Sequence, residues 1–190
     1  MTATVSTTNS AGNAALTGSY TLDTTHSRLG FVARHAMVTK VRGSFTDFAG
    51  TAVLDAEDPS RSHADVTIQV ASVDTGNGQR DEHLRTNEFF DAATYPEIRF
   101  VSTKAEALGE DNYRLTGDLT IKGITKSVDV DFEFTGLAAD PWGNQRAGFE
   151  GKAVINRKDW GVNFNAALEA GGVLVSEKIT LEFDISAIRN

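Results

Sequence analysis

The sequence predicts an all-β chain of about eight antiparallel strands closed into a barrel and interrupted by one short helical lid. Three observations carry this. Between residues 29 and 185, run after run alternates apolar and polar residues, the mark of strands that bury one face only. Turn-forming clusters at 58–60, 109–112, 123 and 140–144 separate those runs, with few stretches that read as parallel crossovers. The one long departure from alternation is 74–96, where a turn-forming run leads into helix formers, two phenylalanines and a proline.

Taken in order, Tyr20-Thr21-Leu22-Asp23 opens the domain and 24–27 turns the chain. Leu29, Phe31, Ala33 and His35 then share one strand face, opposite Gly30, Val32 and Arg34. Residues 38–43 form a basic bend carrying Lys40 and Arg42. Phe48, Gly50, Ala52 and Leu54 mark the next inner face, and Asp58-Pro59-Ser60 is a turn. Val66, Ile68 and Val70 alternate with Asp65, Thr67 and Gln69. In the lid, 74–78 breaks the strand and 79–85 is a helix with Asp81 and Glu82 in its first turn, where the helix dipole favours negative charge. Phe89 and Phe90 form an aromatic plug, and Pro96 forces Tyr95 into an extended conformation.

The second half alternates more plainly. Ile98 and Phe100 share a face. Tyr113, Leu115, Gly117, Leu119 and Ile121 face one way and Arg114, Thr116, Asp118, Thr120 and Lys122 the other. After a tight turn at Gly123, Val128, Val130, Phe132 and Phe134 alternate with Asp129, Asp131 and Glu133. Phe149, Gly151, Ala153 and Ile155 follow the 140–144 loop, and 157–165 carries Trp160 and Phe164. Val173, Val175, Ile179, Leu181, Phe183 and Ile185 are expected to close the chain as one long strand. A sandwich would also bury one face of each strand, but a barrel suits the large inner faces and leaves no exposed edge.

The chain of 190 residues fits one domain, with 1–18 expected as a flexible tail poor in apolar residues and 19–190 as the barrel. A net charge of −8 argues against nucleic acid or an anionic membrane as the main partner. The absence of cysteine excludes disulfides, a thiol nucleophile and Cys-ligated metals. No basic n-region followed by an apolar run begins the sequence, and no apolar stretch approaches the ~20 residues of a spanning helix. The expectation is a cytoplasmic protein with no stable membrane insertion.

Small residues recur within the inner faces: Ala33, Gly50, Ala52, Gly117, Gly151 and Ala153. They either leave volume for a long apolar ligand or allow strands to bend. His26, His35, His63 and His83 show no metal-ligand spacing, so no metal site is expected. Arg80, His83 and Asn87 recur at helical spacing and either face a ligand head group or form the wet side of the lid. No nucleophile elbow, phosphate loop or dinucleotide fingerprint is present, and 76–78 is a turn rather than a phosphate cradle.

The segments Asp23-x-x-His26-Ser27, Arg42-Gly43-x-Phe45-x-x-Phe48-x-Gly50 and Val73-Asp74-Thr75-Gly76-Asn77-x-x-Arg80-Asp81-x-His83-Leu84 follow one another in order. Phe89-Phe90-Asp91-x-x-x-Tyr95-Pro96, Gly117-x-Leu119-Thr120-Ile121-x-Gly123 and Ile155-x-Arg157-x-Asp159-Trp160-Gly161-Val162 complete the set. With these the chain resembles the YceI-like, polyisoprenoid-binding, lipocalin-like family from about Tyr20 onward. The resemblance implies an extended eight-stranded antiparallel barrel whose apolar tunnel holds a long isoprenoid, such as a prenylated quinone or prenyl phosphate. It also implies a homodimer. Many family members carry a secretion signal, whereas none is expected from the first residues here, and Trp160 stands where Phe is common.

On that resemblance the ligand contacts are Phe31, Phe48, Leu84, Phe90, Phe100, Leu115, Leu119, Phe132, Phe134, Phe149, Trp160 and Phe183, with His35, Arg80 and His83 toward the head group. The expected function is non-catalytic storage or transport of a polyisoprenoid, with no cofactor beyond the bound lipid. A lipid-modifying enzyme using His35 or His83 as base, and a filled barrel serving protein interaction, are the alternatives.

Overall fold

The computed structural model describes residues 14–169 and 171–190. Eleven strands follow in order: β1 (Gly18–Leu22), β2 (Arg28–His35), β3 (Thr39–Phe45), β4 (Phe48–Leu54), β5 (His63–Gln69), β6 (Val73–Asp74), β7 (Glu97–Gly109), β8 (Asn112–Ile121), β9 (Ile124–Ala139), β10 (Gln145–Asn156) and β11 (Lys178–Arg189). A helix, α1 (Gly78–Arg85), lies between β6 and β7. Every named pairing is antiparallel.

Eight of these strands close a ring, β1-β4-β5-β7-β8-β9-β10-β11, sealed by the β1–β11 pairing. The remaining three extend it. Along one edge of β11, residues 187–189 pair with β1 and residues 180–184 with β2, so β1 and β2 act as one long stave broken at 23–27. The break is pinned to Ser186: the Asp23 N–H donates to its carbonyl at 2.8 Å, and the Ser186 N–H donates to Ser27 Oγ at 2.9 Å. β3 and β4 form a second broken stave, with β4 on β5 and β3 on the short β6.

Alternation sets which side chains enter the barrel; besides a register shift beside the β7–β8 turn, two irregularities within the strands reset it. The β8 pairing of β7 skips Thr103, so the inward set passes from Ile98 and Phe100 to Ala105. The β10 pairing of β9 skips Thr135, so it passes from Val130, Phe132 and Phe134 to Leu137.

Two expectations are corrected here. Leu16 is only 4% exposed, packed with Tyr20, Ala147 and Ala187, and the Tyr20 hydroxyl donates to its carbonyl at 2.8 Å. The tail expected over 1–18 is therefore docked at Leu16, while 1–13 lie outside the described residues. The last strand begins at Lys178, not Val173. The backbone of Val175 is bracketed by Asn165, its N–H donating to Oδ1 and its carbonyl accepting from Nδ2, and this leaves isolated bridges where a strand was expected.

Candidate functional site

The inward side chains of the middle of the barrel surround a cavity of about 350 Å³. Phe31, Phe100, Leu115, Phe132, Phe149 and Phe183 border it, and each is only half-buried although it points into a closed ring. That residual accessibility is the interior surface of the cavity. Its lining is almost wholly apolar, with Thr51, Asp55, Ser62, Tyr113, Arg114 and Arg157 as the main polar contributors.

Packed clusters lie at both ends. Around the lid, Phe45, Val73, Phe89, Ile98, Trp160 and Val162 are buried together. At the other end Leu16, Tyr20, Phe134, Ala147 and Ala187 form a second cluster. Leu84 of α1 and Phe90 border the cavity from the lid side. Trp160, 2% exposed, forms part of the floor there and donates its indole N–H to the Leu119 carbonyl at 2.9 Å.

The inner small residues behave in two ways. Ala33, Gly50 and Ala52 border the cavity. Gly117 and Gly151 do not: the ring of Phe100 lies over Gly117 and that of Phe132 over Gly151, so closely that a Cβ at either position would collide with the ring. These two glycines seat phenylalanines rather than leaving open space.

Of the expected ligand contacts, Phe31, Leu84, Phe90, Phe100, Leu115, Leu119, Phe132, Phe149, Trp160 and Phe183 all border the cavity. Phe48 and Phe134 share the inward register but lie buried away from it, Phe134 against Phe149 in the far cluster. The three polar residues placed at the head group do not come together. His35 is exposed at the end of β2, beside cavity-lining Ala33 and Val175 but outside the lining itself. Arg80 turns back on its own loop, its Nε donating to Thr75 Oγ1 at 2.7 Å and its Nη2 to the Thr75 carbonyl at 2.9 Å. Thr75 in turn donates through N–H and hydroxyl to the buried carboxylate of Asp81, so Arg80 helps fasten the start of α1.

His83 is wedged edge-on against Phe89 and Phe164, with ring centroids 5.0 and 4.8 Å away, and its Nε2 meets Glu88. It packs as a third aromatic with Phe89 and Phe164 and does not border the cavity. At Asn87 the main-chain carbonyl accepts from Lys122 Nζ at 3.2 Å, and the residue does not border the cavity.

Arg157 was visible in the sequence only as part of a motif. It follows β10 on a 3₁₀ turn (Arg157–Trp160), is 6% exposed and borders the cavity. Its guanidinium donates to three carbonyls: Nε to Ser176 at 2.8 Å, Nη1 to Val162 at 2.6 Å and Nη2 to Val175 at 3.3 Å. Burial pulls its pKa below the ordinary arginine value, with nearby Glu177 acting the other way. Burial likewise raises the Tyr113 phenol, with Asp111 adding to it. Among the described residues no three His, Asp or Glu side chains converge as a metal site.

An antiparallel ring closed around an apolar cavity defines a lipocalin-like barrel. The YceI-like domain family model matches residues 20–187, and the chain belongs to that family. A UPF0312 protein of Pectobacterium atrosepticum is 41% identical over 182 residues, 95% of this chain and 91% of the relative. The crystal structure of BcnA from Burkholderia cenocepacia superposes with a TM-score of 0.76 at 27% identity, covering 87% of this chain and 98% of that one. A polyisoprenoid-binding domain from Saccharophagus degradans implicated in plant cell wall breakdown shares the fold, with a TM-score of 0.67 at 19% identity over 90% of this chain and 98% of its own.

Proposed function

We propose that this protein binds a long apolar chain of the polyisoprenoid class in the barrel cavity and stores or carries it without chemical change. The observation that carries this reading is the belt of half-buried phenylalanine and leucine side chains around an apolar space between two packed ends. Transfer of each CH2 from water to such a lining contributes ~0.8 kcal/mol, so a prenyl chain gains affinity with few polar contacts. The volume of about 350 Å³ lies near the small end of the ~300–1,000 Å³ usual for ligand pockets. A long chain therefore fills the cavity completely or parts the side chains at one end. The resemblance in fold to a polyisoprenoid-binding domain supports the same class of ligand.

Native mass spectrometry of the purified protein, followed by organic extraction and lipid identification, tests it. A stoichiometric prenyl lipid is expected. A clean apo mass, with no uptake of added prenyl quinone or prenyl phosphate, would overturn the reading in favour of a filled barrel.

A further inference from the structure

At the lid end of the barrel, the β2–β3 hairpin carries an apolar tip in an unusual state. Met37 is 61% and Val38 76% exposed, although both are large apolar side chains. Ala36 and Met37 hold left-handed φ angles of 50° and 63°, a strained conformation for residues other than glycine. The tip is nevertheless fixed. The Ala36 N–H donates to the Leu174 carbonyl at 2.8 Å and His35 bridges Val175, which brings the partly exposed Val173 to the same end.

The charge around this tip is opposite to that of the chain. Residues 24–46 contain Arg28, Arg34, Lys40 and Arg42 and no Asp or Glu, within a protein of net charge −8. Lys40 is exposed, and Arg42 reaches Glu182 only at 4.0 Å. Arg34 lies exposed on the same hairpin, its Nη1 donating to the Val38 carbonyl at 3.4 Å. The acidic groups of the elements packed against the hairpin are Glu182 and Asp184 on β11, Asp74 on β6, and Glu169 and Glu177 on the 161–177 loop; Asp184 and Asp74 lie opposite Arg28 and Ser44, away from the tip, and Glu177 is already paired with Lys158 at 2.8 Å. An apolar tip flanked by arginine and lysine matches an anionic lipid surface, where the side chains enter the interface and the cations meet head-group phosphates.

We infer that the β2–β3 hairpin tip docks this protein on anionic lipid bilayers through Met37 and Val38, with Arg34, Lys40 and Arg42 supplying the attraction. The cavity begins at the base of the same hairpin, at Ala33 and Val175, so docking brings that end of the barrel to the membrane. The docking surface does not depend on which lipid the cavity holds.

Vesicle flotation tests this, with vesicles of phosphatidylcholine alone and of phosphatidylcholine mixed with phosphatidylglycerol. The wild-type protein should float with the mixed vesicles only, and less so as salt rises. Lys40→Gln/Arg42→Gln should weaken that binding by about 30-fold, from ~1 kcal/mol per cation at the surface. Met37→Ser/Val38→Ser should abolish flotation while keeping the wild-type circular dichroism and the wild-type uptake of a prenyl quinone added in detergent. Retained uptake separates loss of docking from loss of the cavity. The inference is overturned if wild type fails to float with either vesicle, or if both variants float as well as wild type. It is equally overturned if the tip proves to join two copies of the chain, with light scattering showing a wild-type dimer that Met37→Ser/Val38→Ser converts to monomer.

Discussion

The indole N–H of Trp160 donates to the Leu119 carbonyl at 2.9 Å, and this bond ties the turn after β10 to the C-terminal end of β8 across the floor of the cavity. Both residues are buried in the lid-end cluster. Trp160 therefore does two jobs: it satisfies a backbone carbonyl and its ring closes part of the cavity on the lid side.

Trp160→Phe removes both at once, and each has its own readout. The smaller ring deepens the cavity and leaves the Leu119 carbonyl without this donor. Loss of the bond and of packing volume should cost about 2–4 kcal/mol in chemical denaturation. In competition between prenyl chains of different length, the variant should shift toward longer chains. An unchanged length preference in a folded variant would show that the ligand ends short of Trp160.

Gly151 and Phe132 are cross-strand partners, and the ring lies over the glycine. Gly151→Ala should therefore push the Phe132 ring off its seat and into the cavity, weakening uptake of a prenyl ligand and costing about 1–3 kcal/mol of stability through overpacking. Phe132→Leu in the same chain removes the collision and should restore both. Gly117→Ala, under Phe100, should behave in the same way. Titration with a prenyl quinone and thermal melts of the single and double variants check this, and a single variant with wild-type affinity would place the ligand away from these rings.

The sequence shows the barrel through the inward alternation of β8 and β10, which survives in the structure because each strand has one buried face, whereas on β5 burial does not alternate and Val70 lies beyond the strand on a 3₁₀ turn. It does not show the skipped residues at Thr103 and Thr135, since a bulge depends on the pairing of two strands and leaves no mark in either one. Nor does it show that Gly117 and Gly151 are covered by rings from neighbouring strands. Most apolar cavity residues were legible because burial follows alternation. The polar ones were not: helical spacing groups Arg80, His83 and Asn87, but Arg80 and His83 find local partners in Thr75 and Glu88, and none of the three borders the cavity.

Arg157 holds the carbonyls of Val162, Val175 and Ser176, and with them both ends of the 161–177 loop. A lysine offers one compact ammonium in place of the planar fork and cannot satisfy three divergent acceptors. Arg157→Lys and Arg157→Met should each lose about 2–4 kcal/mol of stability. Hydrogen exchange should accelerate first at the amides of 162–177. Even loss of protection over the whole barrel would instead mean that Arg157 supports the core rather than the loop.

Arg146 bridges two carboxylates, contacting Asp23 through Nη1 and Asp140 through Nε at 3.0 Å. Burial alone would raise the Asp23 pKa, but hydrogen bonds from Arg146, His26 and the Thr25 N–H bring it down to about 2. Asp140 is also held at about 2, chiefly by the Asn144 side-chain amide against some opposing burial, with the Asn144 N–H, Arg146 and the Trp142 N–H adding to it. Ordinary aspartate titrates near ~3.9, so in the window from about 4 down to about 2 the unfolded chain binds more protons than the folded one. The stability that these two carboxylates contribute is complete above that window and is lost as pH falls through it. Arg146→Met removes the counter-charge and leaves burial to act on Asp23. Its melting temperature should therefore be lower than wild type at neutral pH, and the difference should shrink as pH falls toward about 2. Melting curves of both proteins across that range check the sign, and a constant difference at every pH would assign the role of Arg146 to packing rather than to charge.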